Sequence, residues 1–207
     1  MGPWPTLALE HGLLAKGFRR IAGLDEAGRG AWAGPVVAAA VILPAEAAVR
    51  GVFQGIRDSK LLSAYQREKL FDVIREGAEA VGVGGVAPEE IDAWGIVPAT
   101  RRAMALAVQG LGMAPQYLLI DYLRLPEVDI PQYALAHGDA LCLSIAAASV
   151  VAKVHRDRLM AALDVRWPDY GFARHKGYGT VAHRGVLASL GPSSIHRLSW
   201  SPCREAK

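Results

Sequence analysis

The chain has 207 residues, 52% of them hydrophobic, enough to bury one substantial core and near the upper end of what a single domain holds. No apolar run approaches the roughly 20 residues a membrane helix needs, the start lacks a basic leader with a compact apolar segment, and Cys142 and Cys203 form neither a thiol metal pattern nor a disulfide framework. A soluble cytoplasmic protein with reduced thiols is therefore expected, and the net charge of +3 is by itself weak evidence for a polyanionic partner.

Ile21 to Leu24 opens a strand, and Asp25 and Glu26 stand side by side at its end. Carboxylates there are costly unless a metal ion, a salt bridge or exposure relieves them. A glycine-rich reversal, Gly28 to Gly34, leads into "PVVAAAVIL", Pro35 to Leu43, a near-continuous apolar run of strand length. Ser63 and Gln66 form a capping box for a helix whose Leu70, Phe71 and Ile74 share a face. Glu79 to Ala87 reads as a third strand weakened by glycines. Pro88, with Glu89 and Glu90, opens a short helix, and a second runs from Pro98 to Gly110 or Gly112. "QYLLIDYL" is a strand with Asp121 near its end, and "QYALAH" is a weaker one. Asp139 lies just before a long helix, Leu143 to Trp167, that Pro168 stops. Thr180 caps a last helix ending near Gly191, and only the termini look loose.

This order gives an α/β fold, a mixed central sheet flanked by helices. If the strands bearing Asp25 and Asp121 are neighbours, those carboxylates meet, and Asp139 reaches them from the helix entrance. Between Val151 and Leu190, seven Lys and Arg face three Asp, a local net of +4 that leaves −1 for the remainder. A basic third opposite an acidic cluster suits a site that cuts phosphates, although a solvated charged face has the same composition.

The blocks "GLDEAGRGAWAGPVVAAAVIL", "DSKLLS", "LLIDYLRLP", "HGDALCLSIAAASVVAKVHRDRLM", "HKGYGT" and "IHRLSW" resemble, in order, those of bacterial ribonuclease HII. The resemblance implies a ribonuclease H-like fold, with 1–18 as an N-terminal extension, 19–202 as the catalytic domain and 203–207 as a tail. It implies hydrolysis of the RNA strand of RNA/DNA hybrids, incision at single ribonucleotides in duplex DNA, and a monomer. Its acidic quartet falls on Asp25, Glu26, Asp121 and Asp139, which would hold two divalent ions. All-oxygen ligands favour Mg²⁺ or Mn²⁺ over zinc. Adjacent strand residues point to opposite faces, so Asp25 and Glu26 share a site only if the strand ends or bulges there, or if Glu26 contributes its carbonyl.

The family's "GRG", here Gly28, Arg29 and Gly30, implies recognition of the 2′-hydroxyl through backbone groups, with Arg29 on a phosphate. Tyr178 matches the tyrosine that packs on the ribose. Lys60 in "DSK" is expected to serve phosphate binding or loop geometry, and Arg156, Arg158 and His175 to contact backbone phosphates. The related ribonuclease HIII carries an added N-terminal domain and a glutamate for the last aspartate, so Asp139 and the short N-terminus speak against it. Three positions depart from the family pattern: Tyr122 stands where glycine commonly follows the aspartate, His137 replaces the usual lysine, and Gly95 an asparagine.

Overall fold

The computed structural model describes residues 4–45 and 51–206. Five strands form one sheet: β1 (Ile21–Ala27), β2 (Val36–Ile42), β3 (Ala80–Val86), β4 (Tyr117–Asp121) and β5 (Gln132–Leu135), in the order β3-β2-β1-β4-β5. β1 runs antiparallel to β2 and β2 to β3, whereas β1–β4 and β4–β5 are parallel. The expected mixed sheet is thus observed, with the strands of Asp25 and Asp121 adjacent.

Helices cover both faces. α1 (Ala8–Ala15) leads the sheet, α2 (Ala64–Gly77) follows β2, and α3 (Pro88–Trp94) and α4 (Ile96–Gln109) follow β3. After β5 come α5 (Gly138–Leu141), α6 (Leu143–Arg166), α7 (Phe172–His175), α8 (Val181–Leu190) and α9 (Ser201–Arg204). β2 reads as unbroken apolar sequence because both its faces are buried: Ala38, Ala40 and Ile42 cluster with Ala103, Met104 and Ala107 of α4. Ala39 and Val41 cluster with Ala147, Val150 and Val151 of α6, and Ile74 of α2 joins that layer. α6 lies so close to β1 that a Cβ on Gly23 would penetrate the Ser144 backbone. This explains why the helix starts with small residues.

The capping box forms as expected: Ser63 Oγ accepts from Gln66 N at 3.2 Å, and Gln66 Oε1 from Ser63 N at 2.9 Å. Four features differ from the sequence reading. β1 neither ends nor bulges at its acids but pairs regularly with β2 through Asp25↔Ala39, Glu26↔Ala38 and Ala27↔Val37. β4 ends at Asp121, because Tyr122 turns to a left-handed φ of 62°. Asp139 occupies its own short helix, α5, separated from α6 by extended Cys142. The stretch from Thr6 through α1 is docked: Thr6 N donates to Leu141 O at 3.1 Å, and buried Glu10 accepts at Oε1 from Ser144 N at 2.9 Å. There the carboxylate meets free amides at the positive end of the long helix.

Candidate active site

The parallel β1–β4 ladder ends at the pair Leu24↔Ile120, so the next residues, Asp25 and Asp121, lie side by side just beyond it, Asp121 at the end of β4 and Asp25 two residues before the end of β1. Asp25 is buried, its Oδ1 accepting from Glu26 N at 2.7 Å. Asp121 Oδ1 accepts from Gly138 N at 2.7 Å, which draws α5, and with it Asp139, to the same place. Lys60 comes from the 3-10 turn Ser59–Leu61, its Nζ lying 3.6 Å from Asp139 Oδ2 and 3.7 Å from Asp58 Oδ1. The turn is fastened from below by Ser149 Oγ of α6, which donates to Ser59 Oγ at 2.9 Å.

The electrostatics bind the four acids into one unit. Burial first, then the charges of Glu26 and Asp121, push Asp25 well above the ordinary aspartate range. Burial likewise raises Glu26, although Arg29 pulls against it, and burial, then the charges of Asp58 and Asp121, raises Asp139. The Asp121 charge is felt by all three. Burial pulls the Lys60 ammonium down, but Asp58, Asp139, Asp25 and Asp121 more than offset it and leave it raised.

Because β1 stays regular, Asp25 and Glu26 leave opposite faces of the strand. Asp25 follows Ala39 toward α6, and Glu26 follows Ala38. Among the described residues no three His, Cys, Asp or Glu side chains close tightly enough to hold an ion. The donor chemistry nevertheless fits a hard divalent cation: the groups are all carboxylates, and three carry raised pKa values, the sign of crowded negative charge.

The Gly28–Gly30 turn borders the acids. Gly28 has φ 88°, and a Cβ there would collide with the Arg156 guanidinium. Arg29 reaches back to Glu26 at 3.7 Å, with its guanidinium 5.6 Å from the ring centre of Tyr122. The Tyr178 ring lies against two cations, Lys153 Nζ at 5.3 Å and Arg156 at 5.2 Å. The phosphate role expected of Arg156 and His175 does not survive: Arg156 is fully buried and His175 is 9% exposed. Arg158, by contrast, is exposed and paired with Glu68. Part of the basic stretch is therefore spent inside the protein, where Arg156 donates to Pro35 O, Lys176 O and Ala33 O.

Sequence reasoning also left Arg197 without a role. The only available signal for Arg197 was a cation flanked by apolar residues in "IHRLSW".

Among the described residues, the non-glycine residues with positive φ are Tyr122, His137 and Lys176. Each sits next to the site: after Asp121, before Gly138 and Asp139, and before Gly177 and Tyr178. Strain of this kind collects at functional sites. At Tyr122 the left-handed φ explains why a glycine suits the position. Tyr122→Gly is expected to fold and to raise stability by up to about 1 kcal/mol in urea unfolding, since strain at an exposed ring is removed. The stacking contact with Arg29 disappears with it.

Behind the Tyr178 turn, three histidines interlock. Gly177 N donates to His175 Nδ1, which leaves His175 Nε2–H for Tyr170 O at 2.7 Å. Ser193 N donates to His196 Nδ1, so His196 Nε2–H faces His183 Nε2 at 3.0 Å, and His183 Nδ1–H goes to Tyr178 O. Each ring thus has one neutral tautomer that satisfies its neighbours. Burial, then the His183 charge, lowers His196 to about 4, and burial lowers His183. A depressed folded pKa contributes stability that is present above the unfolded value near 6.5 and lost as pH falls toward 4. The raised carboxylates act with the opposite sign. The urea midpoint of His196→Asn is therefore expected to lose less than that of the unsubstituted protein between pH 6.5 and 4; parallel profiles would refute this.

A profile of the Ribonuclease HII family matches residues 22–203. Ribonuclease HII of Chloroflexus aurantiacus is 53% identical over 203 residues, covering 98% of this chain and 96% of the relative. That of Dehalococcoides mccartyi strain BAV1 is 52% identical over 201 residues, covering 97% and 94%. Among solved structures, ribonuclease H2 from Pyrococcus horikoshii superposes with a TM-score of 0.76 at 27% identity, over 90% of this chain and 96% of that one. The ribonuclease HII solved in a PCNA complex from Archaeoglobus fulgidus gives 0.73 at 31%, over 87% and 95%. With the mixed sheet and the acids on its central strands, these matches place the chain in the ribonuclease HII family.

Proposed function

We propose that this ribonuclease hydrolyses the RNA strand of RNA/DNA hybrids and incises duplex DNA on the 5′ side of a single embedded ribonucleotide, leaving 3′-hydroxyl and 5′-phosphate ends. It removes misincorporated ribonucleotides and RNA primers, acting in the cytoplasm as a monomer whose catalytic body is 19–202. What supports this reading is the adjacency of Asp25 and Asp121 on the paired strands β1 and β4, with Asp139 drawn in through the Gly138–Asp121 hydrogen bond and the Gly28–Gly30 turn beside Glu26.

Asp25, Asp121 and Asp139, with Glu26 through its carbonyl because its side chain leaves the other face of β1, would hold two divalent ions, Mg²⁺ or Mn²⁺. When bound, such ions supply an activated water and neutralise charge on the phosphate and the departing 3′ oxygen. Asp25 and Asp121, carried on adjacent strands, would orient the cluster, and Asp139, beside Lys60, would be a further ligand. Lys60 offers an ammonium beside the acids, suited to holding a phosphate in place. Gly28, Arg29 and Gly30 approach the minor groove with backbone groups at the 2′-hydroxyl, and Tyr178 packs on the ribose.

The test is cleavage of a DNA duplex with one internal ribonucleotide, in Mg²⁺ and separately in Mn²⁺, beside an all-DNA duplex and the Asp121→Asn protein. A single 5′ incision, absent from both controls, is the expected result. Tight binding without a cut in either metal would mark a binding module instead, and cutting of the all-DNA duplex a different phosphohydrolase.

A further inference from the structure

Two arginines lie wholly inside the protein, and neither pairs with a carboxylate among the described residues. A buried cation without an acid is expensive unless its donors are satisfied. Here carbonyl oxygens do this. Arg197 donates from Nη2 to Gly28 O at 2.7 Å, from Nη1 to Arg29 O at 2.9 Å, and from Nε and Nη2 to Gly34 O at 3.1 and 2.9 Å. Arg156 stands beside it, holding Ala33 O at 3.0 Å and Pro35 O at 2.9 Å of the same reversal. It also holds Lys176 O at 2.9 Å in the turn that carries Tyr178. The pair thus ties the Gly28–Pro35 reversal to the Tyr178 turn, and its charges repel each other, with burial and Arg156 both lowering Arg197.

This arrangement has a consequence for the face turned away from the arginines. In a trans peptide the C=O and the following N–H point in opposite directions. With Gly28 O and Arg29 O drawn inward, the amides of Arg29 and Gly30 must point outward. Among the described residues neither donates to any acceptor, and Gly30 is exposed. Two successive free amides form a concave donor pair suited to an electron-rich oxygen. They lie on the turn whose Arg29 side chain reaches Glu26 and the Tyr122 ring, at the edge of the acidic cluster.

We propose that Arg197, backed by Arg156, is a positioning residue that fixes the Arg29 and Gly30 amides toward the substrate and thereby sets the preference for a ribose 2′-hydroxyl. This rests on the reading of the Gly28–Gly30 turn given above. Lysine at 197 keeps the charge but has no planar fork with which to hold all three carbonyls. The turn is then free to rotate its peptides.

The experiment measures binding by fluorescence anisotropy in EDTA, where cleavage is suppressed, for a DNA duplex with one ribonucleotide and for the matching all-DNA duplex. The unsubstituted protein is expected to prefer the ribonucleotide duplex by about tenfold, the scale of one or two hydrogen bonds. Arg197→Lys is expected to lose that preference to within twofold while keeping its all-DNA affinity and its circular dichroism spectrum. A retained preference overturns the proposal alone, as do two affinities that fall together with the thermal midpoint, the mark of a merely structural residue. If the unsubstituted protein shows no preference, the reading of the turn itself fails and takes the proposal with it. Should Arg197→Lys not fold, amide resonances of the unsubstituted protein decide: the Arg29 and Gly30 signals must shift with the ribonucleotide duplex and not with the all-DNA one, and equal shifts overturn the proposal.

Discussion

Asp25→Asn is expected to lower cleavage of a ribonucleotide-containing duplex by at least about a thousandfold while making the metal-free protein more stable. The first effect follows from the proposed ligand role, since an amide is a poor, neutral donor to a hard cation that must stabilise charge on a phosphate. The second follows from the geometry in hand. Asp25 is 4% exposed beside Glu26 and Asp121, and burial with those charges raises its pKa well above the usual value. A raised carboxylate stabilises the fold at low pH, and that contribution is lost as pH rises through the folded value. Asparagine removes the penalty and can still accept at Oδ1 from Glu26 N. The gain in urea midpoint should therefore appear at pH 7 to 8 in EDTA and vanish near pH 4. Adding Mn²⁺ should raise the midpoint of the unsubstituted protein but not that of the variant. A variant that cleaves normally, or is less stable at pH 8 in EDTA, would contradict this account.

Gly23→Ala is expected to destabilise the protein by about 4 kcal/mol or more, a size reserved for backbone collisions and lost core. The added Cβ would sit inside the Ser144 carbonyl and the Ile145 amide, both main-chain atoms of α6 that no rotamer change can move aside. α6 would have to withdraw from β1. That would also loosen the Ser149–Ser59 hydrogen bond under Lys60 and the Ser144–Glu10 contact that docks α1. Activity should fall along with stability, even though Gly23 touches no acid. Gly12→Ala is the matched control, because nothing lies within 4 Å of a Cβ at that exposed position of α1. Helix propensity makes this change neutral or favourable by up to about 1 kcal/mol. Equal losses in the two variants would refute the packing argument.

Several elements were legible because their causes are local. The Ser63 capping box is a contact between residues three apart, and the apolar run of β2 reports burial on both faces of a short segment. α1 escaped because eight residues carry little periodicity, and what holds it, Glu10 at the head of α6, lies 134 positions away in sequence. Tyr122, His137 and Lys176 gave no warning of their left-handed backbones, since φ at a turn is dictated by the partners on either side. Arg156 and His175 read as phosphate contacts because cations are usually at the surface, and the fold placed both inside.

By itself, then, the sequence determined the α/β class and the family, because spacing within blocks and burial patterns are properties of the chain. Only the tertiary structure decided that β4 lies parallel to β1, so that Asp25 and Asp121 meet. It also decided that Asp25 and Glu26 leave opposite faces, and that Arg197 reaches 169 positions back to hold Gly28. The reason is physical: strand pairing and the burial of a charge are settled by long-range contacts whose energy exists only once distant segments have closed on one another.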